Sequence, residues 1–156
     1  MKIDTHMSLA NALKGQGSMN TISTPTCKVI RSTVDYQGKQ GPTYAGAISA
    51  ESVGSPGLWF GKITVAPGAR TKAHYHEAHE TAMYVVSGEA DMWFGDELQE
   101  HEVLRAGEYL YVPAGVSHVA VNSSQTEPMV VIAARTDPNE QESVVLQPHL
   151  DASVVS

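Results

Sequence analysis

The chain has 156 residues, with 10 basic and 17 acidic side chains and a formal net charge of −7. That length fits one domain with a sizeable core, and the acidic balance excludes a nucleic-acid surface, whose phosphates need a basic patch. Charged residues are only 17% of the chain, which excludes wholesale disorder, and the longest uncharged apolar run, Pro128 to Ala134, is far short of the ~20 residues of a membrane-spanning helix.

The first six residues, Met1 to His6, lack the charged-then-apolar layout of a secretory signal, so the cytoplasm is the expected compartment. Residues 1–26 differ in texture from the rest. Ser8 precedes Leu9 to Lys14 and Gly15 follows, which gives an N-cap, one or two helical turns and a glycine stop. Such a helix is too short to stand alone. The segment reads either as a frayed leader or as an arm packed on a neighbouring subunit. Cys27 is the single cysteine, so no internal disulfide forms and a cysteine-rich zinc module is excluded.

From Thr26 onward the texture is all-β, with short runs rich in Val, Ile, Tyr, Trp and Phe separated by Gly, Pro, Asn and Ser. Expected strands are Cys27 to Thr33, Tyr44 to Ser49, Leu58 to Val65, Thr71 to Tyr75, Thr81 to Ser87, Ala90 to Phe94 and Val103 to Leu104. Tyr109 to Val112, Val116 to Asn122, Val130 to Arg135 and Ser143 to Leu146 follow. Turn chemistry falls between them, as in Ala66-Pro67-Gly68, Ser87-Gly88, Gly95-Asp96 and Pro113-Ala114-Gly115. Many short strands with tight turns mean a sandwich or barrel rather than a βαβ fold. Residues 27–150 form the expected β domain, and residues 151–156 a C-terminal tail. The acidic run Thr136 to Glu142 reads as a solvated loop.

Four histidines lie where chemistry would want them. His74 and His76 sit two apart at the end of a strand, so both imidazoles project to one face. His79 and Glu80 follow closely, and His118 lies 42 positions after His76 on another expected strand. Two strand histidines, a third from a distant strand and a carboxylate make a four-donor N/O set. It suits one divalent first-row metal per chain, from Mn, Fe, Co, Ni, Cu and Zn. A His-x-His pair alone is a weak signal, because exposed imidazoles on strands are common.

The surroundings add to it. Gly68, His74, His76, Glu80 and Gly88 resemble the first motif of the cupin superfamily: Gly, five residues, His-x-His, three or four residues, Glu, six residues, Gly. Gly107, Pro113, Gly115, His118 and Asn122 are similar to its second motif at every constrained position. The resemblance implies an all-β, double-stranded β-helix barrel of jelly-roll type, with His74, His76, Glu80 and His118 as metal ligands inside it. It also implies a homodimer, for which an exposed member of the pairs Trp59-Phe60 and Trp93-Phe94 would supply an apolar face.

One departure stands out. Seven residues separate Glu80 from Gly88, where the family pattern has six. Either a one-residue bulge re-aims Glu80, or three histidines bind with water completing the site, or His79 replaces the carboxylate.

Three or four ligands leave open positions, the layout of a catalytic metal. Glu80 and Tyr84 are the expected catalytic side chains. Arg70 and Lys72 share the parity of His74, and Asn122 that of His118, so these three are expected to line a substrate pocket; the alternative sends both cations to solvent. No nucleophile elbow, phosphate-binding loop or dinucleotide glycine pattern is present. The resemblance implies a metal-dependent dioxygenase- or decarboxylase-like enzyme on a small oxygenated or anionic metabolite. A non-catalytic binding or sensing protein and a sugar-phosphate isomerase are the alternatives.

Overall fold

The computed structural model describes residues 26–154. The expected leader helix at Ser8 to Gly15 lies outside them. Among the described residues, eleven strands pair into two antiparallel sheets. The larger sheet takes β1 (Asp35–Gln37), β2 (Thr43–Ile48), β3 (Trp59–Val65), β5 (Thr81–Ser87), β8 (Tyr109–Val112) and β10 (Met129–Arg135), in the order β1-β2-β3-β10-β5-β8. The smaller takes β4 (His74–His76), β6 (Glu89–Phe94), β7 (Glu100–Arg105), β9 (His118–Val121) and β11 (Val144–Leu146), in the order β11-β4-β9-β6-β7. From β3 onward the chain passes to the other sheet at every connection except the β6–β7 hairpin, which is the double-stranded β-helix expected from the motifs.

Period-two alternation supplies the filling between the sheets. Strand β10 is the clearest case: Met129, Val131, Ala133 and Arg135 are buried and the residues between them are not. With Tyr44, Trp59, Ile63, Val65, Val85, Ala90, Met92 and Leu104, the three apolar members form the main core. A second core lies behind the smaller sheet. There Val119 and Val121 pack on Leu98, and on Leu150 and Val154 at a 3₁₀ turn spanning Pro148–Ser153. Strand β9 is therefore buried on both faces, with Val119 and Val121 outward and His118 and Ala120 toward the barrel interior.

The structure departs from expectation at both ends. Cys27 to Thr33 forms no strand: Val29 and the neighbouring Val34 are exposed, and no strand among the described residues pairs with the segment. The first strand is instead β1, paired with β2. Residues 151–154, expected as tail, are held to the barrel: Arg70 donates to the carbonyls of Asp151 and Val154. A four-residue helix, α1 (Ala50–Val53), forms where Ser49 and Ser52 cap each other reciprocally and Gly54 closes the end in the left-handed region.

Two motif glycines fix the connections. Gly88 links β5 to β6 at φ 78°, and a Cβ there would stand 2.7 Å from the Pro128 carbonyl. Gly115 also has positive φ, and its N–H donates to the His76 carbonyl, which ties the turn before His118 to the strand carrying the other two histidines.

Candidate metal centre

His74 and His118 are register partners on adjacent strands β4 and β9, with ring centroids 4.2 Å apart. His76, two residues further along β4, adds a third ring 5.2 Å from His74 and 5.6 Å from His118. One ring nitrogen from each lies within 4.8 Å of the others, and all three side chains are buried. The separation of 44 positions between His74 and His118 is thus closed by a single cross-strand pairing.

Hydrogen bonds set the tautomers. His74 Nδ1 lies 2.8 Å from the Lys72 carbonyl and His118 Nδ1 lies 2.9 Å from the Val116 carbonyl. A carbonyl only accepts, so each Nδ1 carries the proton and each Nε2 keeps a free lone pair. His76 is different: both of its ring nitrogens are buried with no partner among the described residues. An imidazole left so is costly unless something binds it, and a cation bound by the three lone pairs would satisfy it. The donor chemistry therefore fits a divalent transition metal.

Electrostatics point the same way. Burial lowers the pKa of all three imidazoles, to about 4 for His118, with the Arg135 guanidinium adding to the effect at each. They are neutral near pH 7, the form a metal requires.

Glu80 does not join them. The extra residue of β5 is taken up by a register shift opposite Val130 and Val131, beside Val86 at the far end of the strand. That bulge leaves the near end untouched: Thr81 faces inward at 1% exposure and Glu80 outward, its carboxylate accepting from the exposed Tyr111 hydroxyl at 2.7 Å. Tyr84 shares the parity of Glu80 and so also faces out, its ring 5.0 Å from that of Tyr109. His79 is half-buried and outside the trio.

The expected pocket residues are likewise elsewhere. Arg70 forms an ion pair with Asp151 and clamps the C-terminal turn. Lys72 is exposed, between Thr71, which lines the cavity, and Ala73, which is buried in the second core. Asn122 is buried but structural: its Nδ2 donates to the carbonyls of Val65, Ala66 and Glu127, which leaves it nothing to offer a ligand.

The cavity beside the histidines has a volume of about 40 Å³. Its polar lining comes from His74, His118, Thr71, Tyr44 and Arg135, and apolar side chains such as Ile63, Met92 and Val131 form the rest. Arg135 was not singled out by sequence reasoning, although its parity with Val131 and Ala133 on an apolar strand carried the signal. Its Nε donates to Thr81 Oγ1 at 2.9 Å and its Nη1 to Glu140 Oε1 at 2.6 Å.

Residues 61–135 match the family model described as Cupin domain. No curated protein matches the sequence. Among solved structures, a Klebsiella pneumoniae protein with a double-stranded β-helix domain superposes with a TM-score of 0.56 at 21% identity, covering 71% of this chain and 88% of that one. A Bacillus subtilis oxalate decarboxylase with Mn(II) centres gives 0.59 at 23% identity, covering 74% and 30%. A formate complex of Lactobacillus farciminis oxalate decarboxylase gives 0.62 at 17% identity, covering 79% and 36%. The chain thus spans about a third of the length of either decarboxylase. These likenesses establish the fold. No helix among the described residues is long and apolar enough to cross a membrane.

Proposed function

Because the chain belongs to the cupin family, we propose that it is a divalent-metal-dependent enzyme acting on a small oxygenated or anionic metabolite by dioxygenase- or decarboxylase-like chemistry. His74, His76 and His118 hold the ion through ring nitrogens, and the Lys72 and Val116 carbonyls fix the orientation of two of those rings. The observation that carries the reading is His76, buried with both nitrogens unpartnered and facing two imidazoles that already direct lone pairs inward. A closed structural site fills all positions with protein ligands, whereas three imidazoles leave positions for substrate. A bound metal there would supply Lewis acidity and, if redox-active, electron transfer. The chain's own contribution is to keep the imidazoles neutral and to offer substrate a small space lined by Ile63, Met92, Leu104 and Val131. The oxalate-acting proteins among the fold neighbours support a small oxygenated acid as substrate class.

Elemental analysis of tag-free protein tests the reading. Near-stoichiometric metal in the wild type and its loss in His118→Ala are expected; unchanged metal in His118→Ala overturns the site. Oxygen uptake and product analysis across diketones, catechols, keto acids and oxalate test the reaction. Metal-loaded protein that turns over none of them would favour a binding protein instead.

A further inference from the structure

Among the described residues, Arg135 is the lysine or arginine whose side chain is buried, at 2% exposure. Two of its three nitrogens are committed, Nε to Thr81 and Nη1 to the Glu140 carboxylate and carbonyl. Nη2 faces the Tyr44 hydroxyl, which takes at most one of its two N–H groups. Glu140 is itself saturated, since its other oxygen accepts from the Tyr36 hydroxyl at 3.2 Å and from the Gln141 amide. The guanidinium is therefore anchored on one side and open on the other.

Tyr44 stands against the same guanidinium and is fully buried. Its hydroxyl accepts from Gln40 Nε2 at 2.6 Å, so its own proton is not used on Gln40. Arg135 and Tyr44 line the same cavity as His74 and His118. Two donors, each with a proton to spare, thus share one cavity with two of the three imidazoles.

Charge gives that arrangement a reason. With Glu80 on the outer face, the imidazoles bring no negative charge, and Arg135 and Glu140 cancel. A divalent cation held there would leave two uncompensated positive charges in a buried space, which is costly unless an anion arrives with it. We propose that Arg135 and Tyr44 form the anion end of the cavity, holding the carboxylate of a small monocarboxylate whose other end faces His74 and His118. This rests on the metal reading above. Size narrows the class: about 40 Å³ admits a ligand of about three or four water-sized atoms, on the scale of formate or acetate. The apolar lining disfavours a second charged group. Arg135 is thus a specificity residue, and the guanidinium fork suits a carboxylate better than a lysine point charge would.

The test uses the full chain reconstituted with Mn(II), with metal content measured on every sample. Calorimetric titration with acetate, and with acetamide as its neutral isostere, reads the anion site. Acetate is expected to bind wild type at least about tenfold more tightly than acetamide. The charge-neutral pair Arg135→Met with Glu140→Gln, and separately Tyr44→Phe, are each expected to keep the metal and to weaken acetate about tenfold or more. The second variant guards against misfolding of the first, and circular dichroism checks both. Acetate binding unchanged in metal-replete variants overturns the anion site and leaves the metal reading intact. A wild type that takes up no Mn(II) overturns the metal reading; acetate binding to that metal-free protein that is lost in the variants would still support the anion site.

Discussion

Strands β5 and β10 lie side by side and present two unlike faces. Inward, Thr81, Arg135 and Trp59 of β3 form one register row across three strands, all nearly inaccessible. Outward, one residue away, are Glu80, Tyr84 and Val86, with Tyr109 and Tyr111 beside them on β8. The inner face holds a cation and the outer face the carboxylate and tyrosines. Alternation decides which residues travel together, but which set goes inside depends on what each can find there. Arg135 is tolerated in the interior because Glu140, in a left-handed loop conformation, meets it. Thr81 occupies the inward place with a hydroxyl that accepts from Arg135 Nε, and Glu80 is left to solvent.

The sharpest way to break this contrast is to remove the interior counter-charge. Glu140→Ala leaves the Arg135 guanidinium buried and unpaired, which costs about 3–5 kcal/mol and lowers the melting temperature by on the order of 10 °C for a chain of this size. Combining it with Arg135→Met should recover much of the loss, because the two residues act as one unit. A thermal melt of Glu140→Ala that coincides with wild type would mean that the pair does not hold the loop to the barrel.

Acid attacks the inner face next. Burial lowers the His118 pKa from 6.5 to about 4, and those of His74 and His76 fall as well. Below pH ~6.5 the unfolded chain takes up protons that the folded chain refuses, so stability falls with pH until the folded value is passed. For His118 alone the loss reaches about 3 kcal/mol by pH 4. Urea unfolding of chelator-treated protein at pH 7, 5.5 and 4.5 measures it, and bound metal should shift the loss to lower pH. A midpoint that stays constant over this range would show that the imidazoles are hydrated.

Asn122 separates architecture from chemistry within the motif itself. Its side chain bridges three carbonyls of the loops around β3 and β10, and Asn122→Ala should cost about 1–3 kcal/mol while metal content stays at the wild-type level. Metal loss without loss of stability would instead return Asn122 to the site.

The fold was legible because its signals are local and redundant: strands with period-two burial, bounded by Gly88, Gly107 and Gly115 at positive φ. The histidines were legible because a fixed spacing places them on two strands whose pairing follows from the fold. What escaped was set by partners distant in sequence. Parity grouped Glu80 with Tyr84 and Val86 correctly, yet no pattern in β5 states that the group faces outward. Arg70 and Arg135 are alike as residues, but one reaches Asp151 and the other Glu140, and only the folded chain separates a C-terminal clamp from a cavity wall. The four-residue helix was missed because its capping serines leave no apolar period to detect.

The smallest expected effect discriminates most directly between the family pattern and this chain. The motif spacing assigns Glu80 to the metal, whereas the structure gives its carboxylate to the Tyr111 hydroxyl, itself 60% exposed. An exposed hydrogen bond of this kind contributes on the order of 0.5 kcal/mol. Glu80→Gln should therefore leave both melting temperature and metal stoichiometry near wild type, and Tyr84→Phe should do the same. Loss of metal in Glu80→Gln but not in Tyr84→Phe would mean that the His76–Thr81 segment rearranges on loading to bring the carboxylate inward. The charge beside Arg135 would then already have its anion, and acetate would bind the metal-loaded wild type only weakly.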